Sequence, residues 1–304
     1  MSQPSRKRSA PKKFITEDFI RACKKDFRSN PANTMARNAV VSVGALLAAT
    51  DSEESKEVTH IFVNSIKKRD LKATDQGSSG RCWMFAALNS FRHYVVNGLG
   101  IDNFEFSETY LFFWDKFERS NTFLQNMIEL DDLPGSRIID LLFDDCLSDG
   151  GYWNYFVNLV DKYGLVPKDA MPETYQSDWS DDMNNAIVNR LKAYAIQIHK
   201  EKSAGKPLQR LTQIKNTAMK QVFSILVKFL GEPPKKFTWF FNDEDDSKAV
   251  ADLTPMRFKE MCIPNVELSD FVVVANVPCK DYDAKYRVKF INNVQGGAPC
   301  DLIN

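Results

Sequence analysis

From Gln76 to Trp83 the chain reads Gln-Gly-Ser-Ser-Gly-Arg-Cys-Trp, and beyond it the pattern changes at once. Met84, Leu88, Phe91 and Val95 recur at steps of four, three and four residues, the apolar stripe of an amphipathic helix. Gly77 to Gly80 has turn composition and no period. The junction predicts a loop feeding a helix whose first turn holds Cys82. Free N–H groups and the positive dipole end at a helix N-terminus favour an anion, so the Cys82 thiolate is expected to form more easily than an ordinary one, with Arg81 beside it adding positive charge. Six residues upstream, Gln76 offers an amide donor. A thiolate with donors aimed at a developing oxyanion is what acyl transfer needs, and the Gln76 amide and Cys82 N–H supply two such donors. Taken alone, a cysteine here is more often a small hydrophobe, packed under Trp83.

Further segments narrow the choice. Phe106-Ser107-Glu108-Thr109-Tyr110-Leu111-Phe112-Phe113-Trp114-Asp115-Lys116 follows the helix, and Asp149-Gly150-Gly151-Tyr152-Trp153 follows that. A double glycine lets another peptide backbone come close, with main-chain donors and acceptors exposed for strand-like pairing; its bland alternative is a turn before the next helix. Tyr152 to Tyr163 predicts a helix that stops at Gly164, ahead of Leu165-Val166-Pro167, and Leu230-Gly231-Glu232-Pro233-Pro234 precedes Phe237-Thr238-Trp239. Together these segments resemble the papain-like cysteine peptidases, and more closely their bleomycin hydrolase and aminopeptidase C branch, from about Lys13 to Asn293. The final stretch, Gly296 to Asn304, reads as drifting from the family.

The resemblance implies a papain-like α+β fold with a helical insertion and an incomplete β domain. It implies Cys82 as nucleophile, Gln76 in the oxyanion hole, and Gly150, Gly151 and Trp83 as substrate-binding residues. The reaction it implies is aminopeptidase hydrolysis of peptide or amide bonds through a thioester acyl-enzyme, with no metal or organic cofactor, in a hexameric homo-oligomer. Such a reaction needs an imidazole to take the thiol proton and a group to orient it. His60, His93 and His199 all lack the family's local context, and His93 lies on the same helix as Cys82, about three turns on. The catalytic His and Asn are therefore expected beyond these residues, with the chain a fragment or a truncated product. The alternative is a non-hydrolytic product that binds peptides or assembles with full-length subunits.

The 43% hydrophobic and 26% charged composition of the 304 residues suffices for a sizeable core and two domains. A formal net charge of zero points to neither nucleic acid nor membrane as a partner, although the basic Met1 to Lys13 tail is a weak hint of nucleic acid. There is no run of about 18 apolar residues and no apolar core of a secretory signal near Met1, so the expected location is cytoplasmic. Cys23, Cys82, Cys146, Cys262, Cys279 and Cys300 lack C-x-x-C spacing, which argues against a zinc site and for reduced thiols; Cys146 is expected to be a buried thiol.

The boundaries expected are a disordered basic tail (1–13), an N-terminal extension with the helical nucleophile domain (14–176), a helical insertion (177–250) and the start of the β domain (251–304). Thr16 and Glu17 ahead of Phe19, Ile20, Cys23 and Phe27 predict a capped helix. Ile187, Leu191, Tyr194 and Ile198, then Leu211, Ile214, Ala218, Val222, Ile225 and Phe229, predict an antiparallel helical pair broken at Ser203 to Pro207. The acidic 242–246 stretch is expected to be a loop, and 271–277 and 286–291 are expected strands.

Overall fold

Thr16 starts the first helix through its side chain: Oγ1 accepts the Phe19 N–H at 3.3 Å, and α1 runs Glu17–Ser29 with Glu17 and Asp18 in its first turn, where the helix dipole favours acids. The protein is seen in a computed structural model that describes residues 15–51, 53, 71–101, 103–131, 135–242, 246–264, 266–288, 294 and 296–304. The basic tail and His60 lie outside the described residues. Two units result, one before residue 66 and one from it onward. In the first, α1 is followed by α2 (Pro31–Val43), capped by Asn30 with Pro31 at its start, and a short α3 (Ala45–Ala49).

The second unit carries the rest: α4 (Cys82–Leu99), α5 (Glu108–Glu129), α6 (Arg137–Asp144), α7 (Trp153–Tyr163), α8 (Tyr175–Asp178), α9 (Asp181–Ser203), α10 (Leu208–Leu230), β1 (Phe237–Asn242), β2 (Ser247–Leu253), α11 (Pro255–Cys262), β3 (Val273–Val274), β4 (Lys285–Arg287) and β5 (Asp301–Ile303). The fold is α+β. Helix α5 is its axis, because it packs against α4, α7, α9 and α10. A helix touched on so many sides must be buried nearly all round. Leu111, Phe112, Phe113, Phe123 and Leu124 are fully enclosed, and so are the polar Asp115, Lys116, Arg119 and Ser120.

The predicted helical pair forms as α9 and α10. Ile187, Leu191 and Ile198 of the first and Leu211, Ile214, Ala218 and Val222 of the second are buried, while Tyr194, Ile225 and Phe229 are half-buried at the edge of the same core. Helix α7 stops at Gly164 for two reasons. Its φ of +75° suits glycine, and a Cβ there would stand 2.4 Å from the Pro255 carbonyl carbon. The tight approach lets Leu165 N–H bond Pro255 O at 3.1 Å, tying α7 to the start of α11.

The strands depart from expectation. Val273–Val274 and Lys285–Arg287 are far shorter than predicted, with 289–291 outside the described residues. Between them lies β5, parallel to β3 and antiparallel to β4, so the stretch expected to drift supplies the central strand. A separate antiparallel hairpin, β1 with β2, was not expected as strands at all; β1 does turn alternate residues inward, but the exposed Phe240 masks that period in its sequence, and β2 buries only Leu253. Asn242, assigned in advance to an acidic loop, ends β1. Among the described residues, no helix is long and apolar enough to cross a membrane.

Candidate active site

Cys82 is the first residue of α4 and is exposed. No side chain caps this helix end, and the first intrahelical bonds run from the Met84 and Phe85 N–H groups to Arg81 O at 2.9 and 3.1 Å. The Cys82 and Trp83 N–H groups thus remain among the open donors of a helix N-terminus, beside the thiol.

The loop leading to it is held from within. Gly77 has a φ of +62° and sits so close to Asp178 that a Cβ would lie 2.9 Å from that carbonyl oxygen; Ser78 N–H bonds the same oxygen at 2.8 Å. The Gln76 amide Nε2 donates to Ser79 O at 2.8 Å, so one of its two hydrogens is used inside the loop. Arg81 corrects the expectation of positive charge beside the thiol. Its guanidinium is fully buried, pairing with Glu173 at 2.9 Å, donating to Ser79 Oγ at 2.7 Å and lying over the rings of Phe85 and Phe112. Its charge is spent on clamping the loop, because a buried cation needs a partner.

Asp149 joins the loop to the glycine segment. Its carboxylate accepts from Gly80 N–H (3.2 Å), Ser180 Oγ (2.5 Å), Asn184 Nδ2 (2.8 Å) and the Lys116 ammonium, while its carbonyl accepts Trp83 Nε1 (2.7 Å). Burial alone would raise its pKa, but the Lys116 charge and these donors outweigh it and hold the carboxyl well below the usual carboxylate range. Neighbouring Asp115 shifts the other way, because burial outweighs the attraction of Arg119 and Lys116.

The two glycines differ in what they do. A Cβ on Gly151 would lie 2.5 Å from Trp83 Cε2, so glycine is needed there to admit the indole. A Cβ on Gly150 would meet nothing within 4 Å, and that residue is exposed. Trp83, expected to bind substrate, is half-buried and braces this segment through both its N–H and its ring face.

Neither described histidine stands near the thiol. His93 lies eleven residues along α4, about 16 Å of helix rise, its ring tilted against that of Tyr94 and its Nδ1 buried and without a partner among the described residues. Asp149 brings the start of α9 to the site, but His199 lies about 27 Å along that helix from Asp181, beside an apolar cavity of 620 Å³ lined by Met127, Ile139 and Phe143. The six cysteines are unpaired, with Cys146, Cys262 and Cys300 buried. Among the described residues, no group of three or more acidic, His or Cys side chains is arranged to hold a metal ion.

An exposed cysteine opening a buried-stripe helix, with a glycine-rich wall wired to it, defines a thiol-centred site on an α+β scaffold. The Peptidase C1-like family model matches residues 14–304, so the match continues through the stretch expected to drift. Aminopeptidase C of Listeria innocua is 36% identical over 295 residues, 95% of this chain and 65% of that protein. Human bleomycin hydrolase is 29% identical over 290 residues, covering 93% of this chain and 64% of its own length. The crystal structure of PepW from Lactobacillus rhamnosis superposes with a TM-score of 0.84 at 32% identity, covering 96% of this chain and 66% of that one. This chain thus spans just under two thirds of the curated relatives quoted. It belongs to the Peptidase C1-like family, in the bleomycin hydrolase and aminopeptidase C branch of the papain-like cysteine peptidases.

Proposed function

We propose that this chain carries the nucleophile and one substrate wall of a cysteine aminopeptidase acting on peptide or amide bonds. The observation that carries the proposal is the exposed Cys82 thiol at the uncapped N-terminus of α4. Its Sγ attacks the substrate carbonyl carbon, and the oxygen gains charge beside the Cys82 N–H and the second hydrogen of the Gln76 amide. The C–N bond then breaks, the amine leaves with the proton that the thiol gave up, and a thioester remains on Sγ until water releases the acid and restores the thiol. Gly150 and Gly151, with Trp83 behind them, line the substrate backbone. The names of the relatives, aminopeptidase C and bleomycin hydrolase, support this chemistry. The same reading takes the protein as cytoplasmic and homo-oligomeric.

The test is reaction with an aminoacyl chloromethyl ketone, followed by peptide mapping. Attachment at Cys82, faster than the same reagent attacks glutathione, is expected; reaction no faster than glutathione, or spread over Cys23 and Cys279, contradicts the proposal. The distance of His93 and His199 from Cys82 favours a second reading of the chain acting alone, a non-hydrolytic peptide binder. Binding of a peptide without turnover of an aminoacyl fluorogenic substrate supports it, and turnover that Cys82→Ala abolishes excludes it.

A further inference from the structure

Helices α5 and α9 each have one part beside the wall next to Cys82, at Arg119 and Asn184, and their later turns border the 620 Å³ cavity. Sites for small organic molecules commonly measure about 300–1,000 Å³, so this one is large enough to hold such a ligand. Met127 and Leu130 at the end of α5, Ile139 and Phe143 of α6 and Ala195 of α9 give it an apolar lining. Met127 and Ala195 are buried, and Phe143 is braced edge-on by Phe123, with ring centres 5.6 Å apart.

The charged groups on this lining have one sign. Asp140 and Asp144 stand one turn apart on α6, hence on the same face, and both are exposed where they border the cavity. Neither carboxylate has an ion pair or a hydrogen bond among the described residues. Like charges at this spacing repel, and Asp144 is the last residue of α6, where the negative end of the helix dipole disfavours another negative charge. Lys202 does not relieve them: its ammonium donates to Ile128 O at 2.8 Å and Leu130 O at 2.6 Å and pairs with Asp131 at 3.0 Å, closing the end of α5. His199, the other polar lining residue, has its Nε2 3.4 Å from Ser203 Oγ. The two carboxylates and this imidazole are not arranged to hold a metal ion.

We propose that this cavity binds an organic ammonium ion with an apolar body, the body lying between α5, α6 and α9 and the ammonium between Asp140 and Asp144. Side chains four apart on a helix stand about 6 Å from each other, a gap that one ammonium bridges with two of its three donors. The body removes the surfaces of Met127, Ile139 and Phe143 from water. An anion with the same body would meet two carboxylates, and an uncharged molecule would leave their repulsion in place. The cavity is built without Cys82, and its binding of an amine does not depend on the peptidase reading above.

The probe is phenylbutylamine, with phenylbutyrate as the anion on the same body, followed through the methyl signals of protein labelled with ¹³C-methyl methionine. Met127→Leu assigns the Met127 signal, and Met84, two residues after Cys82, reports binding near the thiol instead. At the efficiency of ordinary small ligands, the amine's non-hydrogen atoms, about eleven, correspond to a dissociation constant of about 5 mM or tighter. The Met127 signal should move saturably with the amine while Met84 stays still, and phenylbutyrate should bind at least about tenfold more weakly. The Asp140→Asn, Asp144→Asn double variant should bind the amine about fivefold more weakly, bringing the two ligands closer together. If that variant fails to fold, the unaltered protein gives the same reading through salt: the amine should lose affinity about threefold or more between low and high ionic strength, and neutral phenylbutanol should not. No movement of Met127, movement of Met84 alone, or equal binding of amine and anion overturns the proposal. So does an affinity for the amine that neither the double variant nor salt reduces.

Discussion

Glu108→Gln should stabilise the protein at neutral pH and do little in acid. Glu108 opens α5 with its side chain 1% exposed, its Oε2 has no hydrogen-bond partner among the described residues, and the nearest cation, Lys168, stands 3.9 Å away and is closer to Glu105. Burial pushes its pKa from 4.5 to about 8, with Lys168 only partly opposing. Between those values the folded protein holds a proton that the unfolded chain has lost, so stability is fullest below pH 4.5 and falls as pH rises toward 8. Integrating that difference gives a loss of about 3 kcal/mol at pH 7 and about 5 kcal/mol above pH 9, relative to pH 3. Glutamine has nearly the same shape and never ionises. Urea unfolding of both proteins at pH 4, 7 and 8.5 should give a gain for the variant near zero at pH 4, about 3 kcal/mol at pH 7 and more at pH 8.5. A difference that stays flat with pH, or that favours wild type as pH rises, refutes a buried neutral carboxyl at this position.

Asp149 works in the opposite sense. Its folded pKa is depressed, so its contribution is present above the unfolded carboxylate value and is lost as pH falls through the folded one; Asp149→Asn should cost about 3 kcal/mol at pH 7, with the gap narrowing in acid unfolding titrations. Gly151→Ala should cost about 1–3 kcal/mol in thermal or urea unfolding because of the indole it would strike, whereas Gly150→Ala should stay within about 0.5 kcal/mol. Iodoacetamide should modify Cys82 ahead of the other exposed thiols, Cys23 and Cys279, and leave Cys146 and Cys262, whose pKa values burial raises, for last; equal labelling of the three exposed cysteines by peptide mapping contradicts an activated thiol.

The parts of this fold that were legible in the sequence are those set by neighbours along the chain. Thr16 caps α1, Cys82 opens α4 and Gly164 closes α7 because each depends on a few adjacent backbone groups. The periods of α9 and α10 likewise reflect one face turned to one core. What was hidden depends on distant partners. Strand β5 exists because β3 and β4 flank it, and its residues Asp301, Leu302 and Ile303 have no alternation long enough to announce a strand. At the site, the loop and Cys82 stood out, but the buried charges that brace them did not. Asp115, Lys116 and Arg119 sit within a run of aromatic residues, and that mixture was the available signal: charges on a helix buried on every side must find partners. Their partners, the 148–150 segment and Asp149, lie some thirty residues on, as Glu173 lies 92 residues from Arg81.

The most direct measurement of whether Cys82 acts as a nucleophile is to trap the acyl-enzyme itself. An amino-acid p-nitrophenyl ester needs no help to expel its leaving group, so a competent thiolate should be acylated without a general acid. After an acid quench, intact mass and peptide mapping should show one acyl group in thioester linkage on Cys82, released by hydroxylamine and absent from Cys82→Ala. No acyl adduct, or one on another cysteine that persists in Cys82→Ala, would contradict the assignment of Cys82 as the nucleophile.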